Sequence, residues 1–156
     1  MEDTNTWEIG NLAEVTVSYV LKGSLEDRPK IRECYDVYRI AMQAMDRNAL
    51  GMQEQFLAIY LNRANTVIGA KVHFIGGISS VTIDIKVILA TAIGLMASGV
   101  IICHNHPSGN LEPSSQDKLI TARMKEALEL VDVSLLDHLI LSPEGKWLSF
   151  RERGLV

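Results

Sequence analysis

Residues 101–117 read IICHNHPSGNLEPSSQD, and their pattern predicts a strand, a chain reversal and a helix in direct succession. The apolar, β-branched residues 100–104 predict a short buried strand. Residues 107–113 contain prolines and a glycine, which predict an irregular reversal of the chain. Ser114 then favours the start of a helix that runs to about residue 131. This order of strand, reversal and helix places the strand end beside the first turn of the helix.

Two histidines and one aspartate in this stretch have side chains that commonly bind metal ions. Side chains alternate along a strand, so His104 and His106 point to the same side, while Cys103 points away as a buried apolar residue. Asp117 falls in the first helical turn, where the helix dipole favours a carboxylate. This ligand set leaves a fourth coordination position open, as in catalytic zinc sites. We therefore predict that His104, His106 and Asp117 bind one zinc ion.

Each of these features has a simpler structural interpretation when it is taken alone. A His-x-His pair occurs often by chance, and Ser114 with Asp117 is close to a helix capping box. The combination favours a metal site over those interpretations, because it joins two histidines on one strand face to a tight reversal and an inward carboxylate.

The rest of the chain alternates between strand and helix patterns. Alternation predicts a first strand at residues 14–21, and apolar spacing predicts a helix over residues 30–46. Residues 54–62 and 66–74 predict two strands joined by a hairpin turn. Asp84 is a good N-cap for a helix over residues 85–97 that Gly99 ends, and two last strands are predicted at residues 133–141 and 146–150. Together these elements indicate an α/β or α+β sheet with helices packed on it.

The bulk composition favours one globular domain in a reducing compartment. The chain has 156 residues, of which 47% are hydrophobic and 22% charged. Its net charge of -4 gives no indication of a nucleic-acid-binding surface, although it does not exclude one. The cysteines Cys34 and Cys103 are too few for a disulfide scaffold. The longest apolar run, residues 87–103, is too short and too interrupted to span a bilayer, so we expect a cytoplasmic protein without membrane contact.

The spacing of the chemical residues resembles a known motif. His104 and His106, followed by Ser114 and Asp117, resemble the H-x-H-x7-S-x2-D signature of the JAMM metalloproteases, also called MPN or JAB domains. The fuller string HNHPSGNLEPS is similar to the RadC family within that group. Supporting stretches are EQFL at 54–57, LNR at 61–63, VII at 100–102, LDHLI at 136–140 and RERG at 151–154. The resemblance extends from about residue 32 to the C-terminus.

The resemblance implies a fold, a metal and a role for each matching residue. The fold is a deaminase-like α/β domain in which helices wrap a mixed sheet, and it holds one zinc ion. His104, His106 and Asp117 match the metal ligands. Ser114 matches the hydroxyl that helps to hold the tetrahedral intermediate. Glu54 matches the upstream glutamate that acts as general base on the zinc-activated water.

The position of Glu54 in the chain supports the role that the resemblance implies. Glu54 begins an apolar run of strand length, and a carboxylate at such a strand end can face the attacking water. Three other acidic residues are alternatives, namely Glu33, Asp84 and Glu112. We assign Asp84 to the helix cap and Glu112 to an exposed loop, so Glu54 is the preferred general base.

Four further polar residues have both a structural and a functional interpretation. His73 lies in a strand and has little claim to function. His138 is interpreted as a satisfied core histidine that could instead support the site from behind. Asn105 lies between the two predicted ligands and could anchor the loop, and Ser108 could orient substrate or cap the turn.

The resulting prediction is a zinc-dependent hydrolase that cleaves an amide bond in an unknown peptide or protein substrate. We expect residues 1–29 to form a tail with an edge strand and residues 30–156 to form the catalytic domain. The first alternative is a RadC-family nucleic-acid-binding module associated with DNA repair. The resemblance implies that long RadC forms carry a helix–hairpin–helix module, and we expect residues 1–29 to be too few to form one, which disfavours this alternative. The second alternative is an inactive scaffold, and the sequence leaves the oligomeric state open, with a dimer among the options.

Overall fold

The computed structural model describes residues 20, 22–24, 26–77 and 82–156, which form a five-stranded mixed sheet with helices packed against it. The elements are α1 (Cys34–Ala44), β1 (Gln55–Leu61), β2 (Val67–Ile75), α2 (Ile85–Gly94), β3 (Gly99–Asn105), α3 (Ser115–Glu129), β4 (Ser134–Leu141) and β5 (Trp147–Ser149). This architecture confirms the predicted α/β fold. The predicted strand at residues 14–21 lies, apart from residue 20, outside the described part of the chain.

The strand order is β2-β1-β3-β4-β5, and the central strands β1 and β3 are buried along their whole length. β1 runs antiparallel to both β2 and β3, whereas β3 and β4 are parallel and connected through α3. In the β1–β3 register Phe56 lies opposite His104. Because the two strands are antiparallel, the start of β1 and the end of β3 lie side by side at the same end of the central strands.

The two faces of the sheet carry separate hydrophobic layers. On one face α1 packs against residues such as Leu57, Ile59 and Cys103. On the other face α2 and α3 cover residues such as Phe56 and Ile102. Successive strand residues therefore point to opposite layers, and Cys103 lies away from the layer that holds α3, as the alternation predicts.

The observed start of α1 differs from the prediction, which began that helix at residue 30. Lys30 instead pairs with Thr66 as an isolated β-bridge. Glu33 then caps the helix through a reciprocal capping box with Asp36, so α1 begins at Cys34.

The observed end of α2 also differs, because Gly99 does not end that helix. Met96 adopts a left-handed conformation with φ of 50°, and the Ala97 amide donates to the Ala92 carbonyl at 2.9 Å. Gly99 instead begins β3, where an added Cβ would lie only 2.7 Å from the Leu136 side chain. No helix in the described part of the chain has the length and apolar character needed to cross a bilayer.

Candidate metal centre

His104 and His106, at the end of β3, meet Asp117 in the first turn of α3. The His104 Nε2 and His106 Nε2 atoms are 2.9 Å apart. Asp117 Oδ1 lies 3.1 Å from His104 Nε2, and Asp117 Oδ2 lies 3.4 Å from His106 Nε2. The structure therefore brings together the three residues that the sequence predicts as ligands.

These separations suit a small tetrahedral cation. Ligand atoms about 2.0–2.1 Å from a tetrahedral zinc ion lie about 3.3 Å from one another. The two imidazole Nε2 atoms are 2.9 Å apart, and the nearest carboxylate oxygen of Asp117 is 3.1 Å from His104 (Oδ1) and 3.4 Å from His106 (Oδ2), so all three separations lie around that value. The donor set of two imidazoles and one carboxylate is also the chemistry that zinc prefers.

The loop after β3 holds His106 in place. The His106 amide donates to the Leu141 carbonyl at 2.9 Å, which extends the pairing of β3 with β4. Gly109 then takes a φ of 78°, which glycine adopts without steric cost, and its amide donates to the His106 carbonyl at 2.9 Å. This turn brings the Asn110 carbonyl within 2.5 Å of His106 Nδ1. A carbonyl only accepts, so His106 carries a proton on Nδ1. In the neutral ring Nε2 then has a lone pair, which faces Asp117.

Asp117 is fixed by the helix cap that Ser114 forms with it. The Ser114 amide and hydroxyl both donate to Asp117 Oδ2 at 2.7 Å, and the Asp117 amide donates to Ser114 Oγ at 3.1 Å. The predicted capping box is thus present, and it orients the same carboxylate that contacts the histidines. The cap and the metal site are two roles of one residue rather than alternatives.

A chain of hydrogen bonds behind His104 sets the tautomer of its ring. The Thr121 hydroxyl donates its one hydrogen to the Asp117 carbonyl at 2.6 Å, so it accepts from His138 Nδ1, also at 2.6 Å. His138 Nε2 therefore has a lone pair and accepts from His104 Nδ1 at 2.8 Å. In the neutral His104 ring, the Nε2 atom that faces Asp117 therefore has a lone pair.

The two unprotonated Nε2 atoms supply the test of whether this site suits a metal. Neutral His104 and His106 point lone pairs at each other across 2.9 Å, an arrangement that is repulsive unless a cation or a proton lies between them. A divalent cation would satisfy both lone pairs and the Asp117 carboxylate together. The residues present therefore fit a metal ion.

When no cation is bound, protons on the imidazole nitrogens can take its place. Burial alone would raise the pKa of Asp117, but hydrogen bonds from the protonated His104 and His106 rings outweigh it and hold that pKa far below its ordinary value. The hydrogen bond with Asp117 raises the pKa of His106 despite its partial burial. Full burial lowers the pKa of His138 well below its ordinary value. A neutral His138 is the form that the hydrogen-bond chain requires.

Glu54 lies beside this cluster, immediately before β1. Phe56 pairs with His104 in antiparallel strands. Two residues further along, Glu54 therefore lies level with His106 at the same end of the central strands. The Glu54 amide donates to the Gly77 carbonyl at 3.0 Å, which fixes its backbone, and its side chain lines the same cavity as the ligands. Glu54 is 9% exposed, and burial raises its pKa.

Of the three alternatives to Glu54, two do not line this cavity and the third is exposed. Glu33 is the exposed cap of α1, and the Asp84 side chain accepts from the Lys86 amide at 3.0 Å as the cap of α2. Asp84 is therefore the helix cap that the sequence predicts. Glu112 is exposed on the loop between the ligands and lines the rim of the same cavity.

Asn105 is fully buried and anchors the segment that leads to Glu54. Its Oδ1 accepts from the Gln55 amide at 2.8 Å, and its Nδ2 donates to the Leu50 and Gln53 carbonyls at 2.7 and 2.9 Å. The sequence interpretation was that Asn105, between the two histidines, could anchor the loop. The structure places that role in the segment before β1 instead, because Asn105 points to the opposite side of β3 from the ligands.

The remaining polar residues separate into those at the site and those away from it. Ser108 lines the cavity and accepts from the Asn110 amide at 3.3 Å. His73 contacts Tyr60 at 2.6 Å instead of the ligand cluster. Thr121 was missed by the sequence interpretation, although its spacing of four residues from Asp117 puts both on one helix face. His138 is both a satisfied core histidine and the direct partner of His104.

The ligand residues line an open cavity of about 660 Å³. Glu54, Ser114 and Asp117 share its wall, as do the two histidines of the cluster. This volume is typical of cavities that bind small molecules or short peptide segments. The arrangement can therefore bring a metal, a carboxylate base and a substrate together.

Comparison with known proteins agrees with this geometry. A family model described as the RadC-like JAB domain matches residues 31–155. The UPF0758 protein of Aquifex aeolicus (strain VF5) is 39% identical over 92% of this chain and 60% of its own length. The UPF0758 protein PSHAa2643 of Pseudoalteromonas translucida (strain TAC 125) is 39% identical over 78% of this chain and 51% of its own.

A shorter relative is covered more fully. The UPF0758 protein YfjY of Escherichia coli (strain K12) is 38% identical over 78% of this chain and 71% of its own length. By contrast, the chain spans about half the length of several curated relatives that it matches. The matched region contains the whole ligand cluster and Glu54. This chain belongs to the RadC-like JAB-domain family.

Proposed function

We propose that this chain is a zinc-dependent hydrolase that cleaves an amide bond in a peptide or isopeptide. The observation that carries the proposal is the convergence of the His104 and His106 Nε2 atoms on the Asp117 carboxylate, with contacts of 2.9, 3.1 and 3.4 Å. The open cavity above the cluster and the Glu54 carboxylate on its wall support a catalytic site rather than a closed structural one.

Three residues would hold the metal, each through a named atom. His104 and His106 would bind through Nε2, and Asp117 through Oδ1, because the Ser114 amide and hydroxyl already occupy Oδ2. Bound zinc would supply Lewis-acid chemistry, which makes water acidic enough to attack at neutral pH and polarises the scissile carbonyl. His138 would keep the His104 ring oriented through the 2.8 Å hydrogen bond between them.

Glu54 would move the protons of the reaction. Burial raises its pKa, which makes the carboxylate a better proton acceptor than an exposed glutamate. Within the described residues, no hydrogen-bond donor occupies the Glu54 carboxylate, so it can accept the proton of the attacking water. The same carboxyl group can then return that proton to the leaving amine.

Ser114 would stabilise the negative charge that develops on the substrate oxygen. Its hydroxyl lies on the cavity wall and donates to Asp117 Oδ2 at 2.7 Å. The Ser114 amide donates to the same oxygen at 2.7 Å, so Asp117 keeps one hydrogen bond when the hydroxyl rotates towards substrate. Such a donor typically contributes about a hundredfold or more to the rate of acyl transfer.

Nucleic-acid binding receives no specific support from the described residues. The net charge is -4, and Arg123 is the only lysine or arginine among the described residues that line the cavity. Glu54, Glu112 and Asp117 line the same cavity and would repel a phosphate backbone. We therefore propose the hydrolase alone.

Turnover of a peptide library tests the proposal. Protein loaded with one equivalent of zinc should release new amino termini from library peptides, and the same protein treated with a chelator should not. New amino termini at equal rates in both samples would contradict a metal-dependent reaction, and their absence from both would contradict peptide hydrolysis.

A further inference from the structure

One basic side chain lies on the wall of the proposed active site. Asp117, Ile120 and Arg123 follow one another on α3 at intervals of three residues and all line the cavity. Residues at this spacing form a slanting row along one side of a helix. Arg123 lies six residues beyond the ligand Asp117, which is about 9 Å along the helix axis. The row leads from the ligand cluster, past the apolar Ile120, to a guanidinium group.

The guanidinium of Arg123 has no partner within the described part of the chain. Arg123 is exposed, and the ion pairs found among the described residues involve other side chains. The acidic residues on the cavity wall, Glu54, Glu112 and Asp117, form no ion pair with it. Residues 1–19, 21, 25 and 78–81 contain no lysine or arginine, so they add no further basic side chain to this wall.

We propose that Arg123 binds a carboxylate of the substrate, and that the preferred substrates carry this carboxylate about two or three residues from the scissile amide. The inference rests on the proposed hydrolase function and names its substrate class. The number of residues is taken from the 9 Å rise along α3 between the backbones of Asp117 and Arg123, because an extended peptide advances about 3.3–3.6 Å per residue. The carboxylate belongs either to an acidic side chain or to a free C-terminus.

The chemistry of the two partners explains this preference. A guanidinium presents a planar pair of N–H donors that a carboxylate accepts in a bidentate manner. An ammonium group provides charge without that geometry, so Arg123→Lys should keep only part of the effect. The acidic residues elsewhere on the wall disfavour a second carboxylate near the ligand cluster, so a substrate with one well-placed acid fits best.

Binding of four acetylated alanine pentapeptides to the zinc-loaded protein tests the proposal. One peptide is neutral with an amidated C-terminus, one has a free C-terminal carboxylate, one is amidated with a single aspartate, and one is amidated with a single lysine. Calorimetry should show that one acidic peptide binds about tenfold more tightly than the neutral one, which corresponds to about 1.4 kcal/mol. The peptide that gains affinity identifies the source of the carboxylate.

Variants on the same helix assign the effect to Arg123. Arg123→Gln should remove the preference for the acidic peptide. Lys125→Gln makes the same change in charge at a helix position outside the cavity wall, and it should keep the preference. Equal affinities of the wild-type protein for all four peptides, or a preference that persists in Arg123→Gln, would overturn the proposal.

The failure of this proposal and the failure of the proposed function have different signatures. Library peptides cleaved without regard to acidic residues would leave the hydrolase in place and remove the role of Arg123. A preference for acidic peptides that depends on Arg123, in a protein that cleaves none of them, would keep the binding site and remove the reaction.

Discussion

His104 Nδ1 donates a hydrogen bond to His138 Nε2 at 2.8 Å, and this contact links the candidate metal ligand to the buried core. His138 is itself held by Thr121, whose hydroxyl also bonds the Asp117 carbonyl. Residues on β3, β4 and α3 thus set the orientation of one imidazole ring. The affinity of the site for metal should depend on these residues, although Thr121 and His138 would not touch the ion.

Thr121→Val tests this dependence. The variant leaves the buried His138 Nδ1–H without an acceptor, which should lower the free energy of unfolding by about 1–3 kcal/mol. Loss of such an orienting contact should also weaken zinc binding by about 10–100-fold. Denaturant unfolding and competition with a chromophoric chelator measure the two effects.

Thr91→Val is the matched control for that variant. The Thr91 hydroxyl bonds back to the Val87 carbonyl at 2.8 Å, as Thr121 does within its own helix, but it lies on α2 away from the ligand cluster. Zinc affinity should stay at the wild-type value in Thr91→Val. Equal loss of affinity in both variants would argue against the hydrogen-bond chain.

Glu54→Gln should retain zinc and lose turnover. The amide has nearly the same shape as the carboxylate but cannot accept the proton of the attacking water, so kcat should fall by about 10²–10⁴-fold. Glu126→Gln removes a carboxylate from the exposed side of α3 and should keep wild-type kcat. Steady-state kinetics with metal analysis of each preparation separates loss of chemistry from loss of metal. Normal turnover of Glu54→Gln would refute its role as general base.

Asn105→Ala should reduce activity by displacing Glu54. Asn105 is fully buried and makes three hydrogen bonds on the two sides of Glu54, to the Leu50 and Gln53 carbonyls before it and to the Gln55 amide after it. Their loss should cost about 1–3 kcal/mol for each group left unpaired, and kcat should fall while zinc stays bound.

Asn62→Ala provides the comparison for Asn105→Ala. The Asn62 side chain accepts from the Ala64 and Thr66 amides in the hairpin turn, which lies at the opposite end of β1 from Glu54. This variant should lose stability and keep kcat per folded molecule. Measurements of kcat below the unfolding transition distinguish the two, and equal kcat in both variants would remove the positioning role of Asn105.

The two cysteines should react slowly with alkylating reagents at neutral pH. The pKa of Cys34 is raised to about 11, mainly by burial and secondly by a hydrogen bond with Glu152. Full burial raises the pKa of Cys103 further. The reactive thiolate of Cys34 therefore becomes abundant only as the pH approaches 11, which lowers its rate near pH 8 by about a hundredfold relative to an ordinary thiol. Mass spectrometry after timed iodoacetamide treatment between pH 7 and 9.5 measures the rate, and rapid labelling of Cys34 at pH 7 would contradict this assignment.

The local part of the site could be predicted from the sequence because it depends on neighbouring residues. His104 and His106 lie on one strand face because side chains alternate along a strand. Asp117 follows a chain reversal and a helix cap that the prolines, the glycine and Ser114 of residues 107–114 predict. The structure brings these side chains together as the local pattern predicts. The burial of Cys103 follows from the same alternation.

The rest depends on contacts between distant segments, which local patterns do not contain. Glu54 reaches the level of His106 only because β1 pairs with β3 in one register, about 50 residues away along the chain. The bond between Thr121 and His138 depends on how α3 packs on β4. The chain leaves α2 through Met96, which has a positive φ that is unusual for a methionine. The prediction that Gly99 ends this helix was therefore wrong.

Zinc titration of purified metal-free protein tests the central claim most directly. Calorimetry should show one zinc ion bound per chain in the wild-type protein, and His106→Ala should lose that binding. His73→Ala removes a histidine outside the cluster and should bind zinc as the wild type does. A wild-type protein that binds no zinc, or a His106→Ala variant that binds it with unchanged affinity, would contradict the account.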